Sequence, residues 1–298
     1  MEPLFDSDKP HFATWVWLYE VDRPWQGHMA TARPIKPKAA PLYYASLCGF
    51  PNLVKCVATT HPGEVNAEGG CYDTALHAAI ARREVPTVLG LLERCADKYA
   101  HDHRGESPLH NASGRGYLVL VEILLRGGLD VNLPDNGDET PLAVALFSGN
   151  TEVARFLIER GADVHCYNKQ GWTPFHKAAL HGHLDIVRLL LDLGISVQVR
   201  SQDQATPLIM ASAGGHIEVS RFLIEHQADV TSASDKGWTS LHAASQGGHS
   251  DVVQLLLEHG VDVNVQDVNL YAPLHYASFT GRLKVVELLL ERGEEVDA

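Results

Sequence analysis

Seventeen histidines are spread along this chain of 298 residues, and imidazoles are the usual material of zinc sites and of general acid–base machinery. Two clusters invite that chemistry: His101-Asp102-His103, and His181 beside His183. A His-x-His pair with an intervening carboxylate offers donors to zinc, but neither cluster has a third and fourth ligand at recognisable spacing. The five cysteines, Cys48, Cys56, Cys71, Cys95 and Cys166, form no Cys-x-x-Cys pair and leave one over, which argues against a structural zinc and against a disulfide framework. A Gly-x-Ser-x-Gly turn, a Gly-Lys-Ser/Thr phosphate loop and a His-Glu-x-x-His helix are all missing from the sequence. No catalytic residue, metal ligand or cofactor-binding residue is assigned, and the expectation is a non-enzyme that needs no cofactor.

The spacing of the histidines points to a different origin. His77, His110, His176, His242 and His275 each close a tetrapeptide: Thr74-Ala-Leu-His77, Ser107-Pro-Leu-His110, Thr173-Pro-Phe-His176, Thr239-Ser-Leu-His242 and Ala272-Pro-Leu-His275. Thr140-Pro-Leu-Ala143 and Thr206-Pro-Leu-Ile209 fill the gaps, so the motif returns every 33 residues. His183, His216 and His249 keep the same period, each following a glycine. A fixed period of this length means stacked supersecondary units, none able to bury its apolar face alone. Eight histidines are therefore expected to be structural by position.

The elements that position them are clearest in residues 173–194. Thr173 suits a helix N-cap, Pro174 suits the first helical position, and Ala178-Ala179 lets neighbouring helices approach closely. Gly182 ends that helix. Leu184, Ile186, Val187, Leu189, Leu190 and Leu191 make a second helix apolar over much of its circumference, as a helix sandwiched between copies of itself must be, and Gly194 closes it. Polar turns such as Asn168-Lys169-Gln170-Gly171 and Ser234-Asp235-Lys236-Gly237 join the units and are expected to project as fingers.

A 33-residue unit carrying Thr-Pro-Leu-His, Gly-His, Leu-Leu-Leu and Gly161-Ala-Asp-Val164 resembles the ankyrin repeat. The resemblance implies an all-α solenoid of helix-turn-helix units with projecting β-turn fingers. It covers residues 39–298: a degenerate first repeat, 39–71, and seven regular repeats that reach the C-terminus. In ankyrin repeats the motif histidine braces the turn and the threonine. Residues 1–38 stand apart as an aromatic segment, with Trp15, Trp17 and Tyr19, expected to cap the first repeat through the proline-punctuated connector 33–38. The run His11 to Tyr19 with Pro41 to Phe50 also resembles the junction into the ankyrin arrays of fungal NACHT proteins. That second resemblance would make the chain the ligand-sensing arm of a larger signalling receptor.

With 24 basic and 37 acidic residues the net charge is −13, which opposes binding to nucleic acid or to an anionic membrane and favours a protein partner with a basic or mixed surface. The longest apolar stretch near the start, Phe12 to Val21, is too short to span a bilayer. Reduced thiols then suggest the cytoplasm, with the nucleus as the other reducing compartment. Candidate recognition residues are found just before each motif threonine, where the chain runs Asp73, Glu106, Glu139, Trp172, Ala205, Trp238, Tyr271. Early positions are acidic and later ones mostly aromatic, the type enriched at binding hot spots. The resemblance places these on the concave face, with Lys169 and Lys236 on fingers and His181 and Phe279 on inner helices. The expected function is a scaffold that binds a protein there through Trp172, Trp238, Tyr271, Glu106, Glu139, Lys169, Lys236, His181 and Phe279. The last repeat keeps Val285, Leu288, Leu289 and Leu290 without a polar capping face, so the expectation is that the array continues or that this end pairs with something, self-association included.

Overall fold

The computed structural model describes residues 39–293. The expected N-terminal cap at 1–38 therefore lies outside the described residues. Within them the chain is all-α, sixteen α-helices and one short 3-10 turn, Pro62–Glu64. The helices come in eight pairs. The inner helices are α1 Pro41–Leu47, α3 Ala75–Ala81, α5 Pro108–Gly114, α7 Pro141–Phe147, α9 Pro174–Leu180, α11 Pro207–Gly214, α13 Ser240–Gly247 and α15 Pro273–Phe279. The outer helices are α2 Pro51–Thr60, α4 Val85–Leu92, α6 Leu118–Arg126, α8 Thr151–Glu159, α10 Leu184–Asp192, α12 Ile217–Glu225, α14 Ser250–Glu258 and α16 Leu283–Glu291.

The pairs gather into two compact units, one of residues 39–145 with 152–162, the other of 146–151 with 163–293. In the first unit α1, α3 and α5 pack in succession, as do α2, α4 and α6. In the second, α9, α11, α13 and α15 form the inner row and α10, α12, α14 and α16 the outer row. The third motif residue supplies the inner seam: Leu76 and Leu109 in the first unit, Phe175, Leu208 and Leu241 in the second, all at most 1 % exposed. Each such side chain contributes about 1.5–3 kcal/mol by leaving water. Val121 and Leu124, like Val187 and Leu190, do the same for the outer rows.

The motif polar groups set where each inner helix begins. Thr173 Oγ1–H donates to His176 Nδ1 at 2.8 Å and its backbone N–H donates to the same nitrogen at 3.3 Å. His176 Nε2–H then donates to the Ala205 carbonyl of the next repeat at 3.0 Å. The same set recurs at Ser107 with His110 and at Thr239 with His242, the latter reaching the Tyr271 carbonyl at 2.9 Å. One imidazole thus caps its own helix and ties it to its neighbour. Ala272 offers no hydroxyl, yet its N–H still donates to His275 Nδ1 at 3.0 Å.

Candidate recognition surface

The fingers are built on one residue that the tetrapeptide does not include. Asp102, Asp135, Asn168 and Asp267 each turn a side-chain oxygen back onto two N–H groups of their own finger, two and four residues on. These Asx turns brace each finger with hydrogen bonds to its own backbone. Ser201 and Ser234 occupy the same column. The column has the 33-residue period as well, so it was legible in the sequence one residue type at a time.

The pre-threonine residues sit at the root of each finger, and the structure places them unequally. In the first unit Glu106 is half-buried, and burial, then the nearby Asp102, raises its carboxyl above the usual range. Glu139 is half-buried too, its carbonyl accepting from His110. Asp73 takes up His103, whose N–H and Nδ1 both reach Asp73 Oδ2 at 2.8 and 2.9 Å.

In the second unit Trp172 is half-buried at the root of the finger that carries exposed Lys169, and Lys236 is exposed on the finger of Trp238. Trp238 and Tyr271 come together through Tyr276, which approaches their rings at 4.6 and 5.9 Å. Neither the sequence motif nor its neighbours singled out Tyr276. Its hydroxyl donates to Asp267 Oδ2 at 2.6 Å. Burial, then that bond, pushes the phenol up to about 12. Burial works against a charged Asp267, but the bonds from Tyr276, Tyr271 and Asn269 together outweigh it and hold the carboxyl below the usual range.

The inner-helix candidates are more open. Phe279 is 91 % exposed at the end of α15. His181 lies edge-on to Phe147 at 4.4 Å, beside His183 at 6.2 Å, and Lys177 Nζ stands 5.5 Å from the Phe147 ring. Burial, then electrostatic interaction with His183, His216 and Lys177, lowers the His181 pKa. His183, His216 and His249 donate Nε2–H to the carbonyls of Phe147, Leu180 and Ala213, 36 residues earlier in each case. They therefore tie adjacent repeats. Among the described residues no three His, Cys, Asp or Glu side chains converge as metal ligands would. Among them, too, no helix is long and apolar enough to cross a membrane.

The family model for ankyrin repeats matches this chain in three copies, over residues 87–168, 160–234 and 231–298. The chain belongs to the ankyrin-repeat family. Ankyrin repeats are in general non-catalytic modules of protein–protein interaction. A curated relative, the azaphilone pigments biosynthesis cluster protein L of Monascus ruber, is 34 % identical over 107 residues, covering 33 % of this chain. The chain matches only 22 % of that protein's length.

Proposed function

We propose that this ankyrin array is a non-catalytic scaffold that binds a protein partner along its fingers and inner helices, the concave side of ankyrin arrays. The observation that carries the reading is the exposure of large apolar side chains where the fold does not need them. Phe279, Tyr271 and Phe147 are 91 %, 50 % and 48 % exposed on inner helices and a finger, while the seams between helices are filled without them. Such side chains provide contact area at a partner's surface. The half-buried acids Glu106 and Glu139 and the exposed Lys169 and Lys236 favour a partner of mixed or basic surface, steering encounter more than they add affinity. Self-association through the last repeat is part of the same reading, since Leu283 and Leu290 of α16 are 75 % and 43 % exposed. Five cysteines with no Cys-x-x-Cys pair among them fit a reducing compartment, the cytoplasm or nucleus. The alternative of a sensing arm in a NACHT receptor draws on residues 11–25, outside the described residues, and on Pro41 to Phe50, which form α1 and the turn after it.

The test is affinity capture from native lysate with the wild-type chain and a Trp172→Ala/Phe279→Ala variant in parallel. Proteins recovered by the first and lost by the second support the reading. Identical recovery by both contradicts it.

A further inference from the structure

We infer that an arginine–tyrosine cluster at the inner-helix ends of repeats two and three, in the first unit, docks an acidic segment of a protein partner. This deepens the proposed function and rests on it. The turn after each inner helix contains one residue in the left-handed region. In seven of the eight repeats it is glycine: Gly49, Gly116, Gly149, Gly182, Gly215, Gly248 and Gly281, with φ between 69° and 83°. The second repeat carries Arg83 instead, at φ 61°. A side chain there costs roughly 1 kcal/mol or more relative to glycine, so the fold alone favours glycine and the arginine is held against that preference.

What replaces the glycine contact shows what the arginine is placed to do. Gly182, Gly215 and Gly248 lie against the side chain 34 residues on, His216, His249 and Arg282. The residue at that offset from Arg83 is Tyr117, and the guanidinium carbon stands 5.5 Å from its ring centroid. Arg115 is held in the same manner 5.9 Å from the ring of Tyr72. Arg82, Arg83 and Arg115 are exposed, and among the described residues no carboxylate lies within 4.0 Å of any of them. Nearby acids are turned elsewhere. The Glu84 carboxylate packs on Gly49, where an added Cβ would meet its Cδ at 2.4 Å, and Asp73 is bonded to His103.

A guanidinium held over an aromatic ring keeps its N–H fork available, and that fork matches a carboxylate in bidentate fashion. Arg83 and Arg115 are held in this way, and with the exposed Arg82 they make a cationic spot on a chain of net charge −13. A long polyanion would run off the spot and meet the remaining negative charge, whereas a short glutamate- or aspartate-bearing stretch engages the spot alone.

The full chain is titrated with three fluorescein-labelled probes: a short peptide alternating glutamate with alanine, its lysine–alanine counterpart, and single-stranded RNA. Arg83→Gly and Arg82→Ala/Arg115→Ala are compared with Arg126→Ala, whose side chain is already paired with Glu122 on an outer helix. The glutamate peptide is expected to bind, and to weaken by about tenfold in each of the first two variants but not in the third. Arg83→Gly is expected to melt at or above the wild-type temperature, because it relieves the backbone, so its loss of binding cannot come from unfolding. Equal affinity in all proteins, or binding of only the lysine peptide, would overturn the assignment. Tighter binding of RNA than of the glutamate peptide would overturn it in favour of a nucleic-acid contact. The capture with Trp172→Ala/Phe279→Ala touches none of these residues and judges the underlying reading separately.

Discussion

The indole of Trp238 stands edge-on to the phenol of Tyr276 in the next repeat, with 4.6 Å between ring centroids and 80° between their planes. It also lies nearly parallel to the imidazole of His242, 5.4 Å away. Trp238 is therefore divided between the recognition surface and the joint between two repeats.

Removing the Tyr276 hydroxyl takes one of the three donors from Asp267, a residue only 6 % exposed. Tyr276→Phe is expected to lower the unfolding free energy by about 1–3 kcal/mol, the cost of leaving a buried acceptor short of a partner. Urea unfolding followed by tryptophan fluorescence measures it. An unchanged midpoint would show that water replaces the hydroxyl without loss.

The motif histidines make stability depend on pH with a definite sign. In His110, His176 and His242 the Nδ1 accepts from the cap hydroxyl while Nε2–H donates to the next repeat, so the neutral tautomer is the one that fits. Burial, first among the causes, lowers the pKa of all three below 6.5. The unfolded chain then binds more protons than the folded one, so stability rises with pH. This contribution is complete above 6.5 and is lost as pH falls from there through the folded-state values. The depressed carboxyls Asp102 and Asp267 start from 3.8 and act only at lower pH. Urea midpoints should fall between neutral pH and pH 5, and less steeply in a His176→Asn variant. A flat profile would mean that the imidazoles charge freely in the fold.

Two glycines of one repeat separate backbone strain from packing. Gly182 and Gly194 both adopt positive φ, 74° and 83°. A Cβ on Gly194 meets nothing within 4 Å, whereas one on Gly182 meets His216 Nδ1 at 2.4 Å. Gly194→Ala should cost about 1–2 kcal/mol, the left-handed penalty alone. Gly182→Ala should cost more, because His216 must also give up its bond to the Leu180 carbonyl. Thermal melts of the two variants decide this, and equal losses would refute the packing part.

The repeat architecture was legible because its signals are local and recur: a cap hydroxyl, a proline, a leucine and a histidine in four consecutive positions, then a glycine where the turn needs positive φ. The division of Trp238 was not legible, because it depends on Tyr276 38 residues later. Position before the threonine likewise said nothing about how half-buried Glu106 and Glu139 are. Arg83 could be found only by aligning the repeats with one another. Its isolation from every described carboxylate is a matter of three dimensions.

The claim that fingers and inner helices recognise a protein is tested most directly by titration calorimetry of the captured partner against the wild-type chain. Trp172→Ala/Phe279→Ala and Arg221→Ala, the latter exposed on outer helix α12, are titrated alongside. The double variant should weaken binding by at least about tenfold, near 1.4 kcal/mol, while the outer-helix variant binds as wild type does. Unchanged affinity in the double variant, or an equal loss in Arg221→Ala, would contradict the claim.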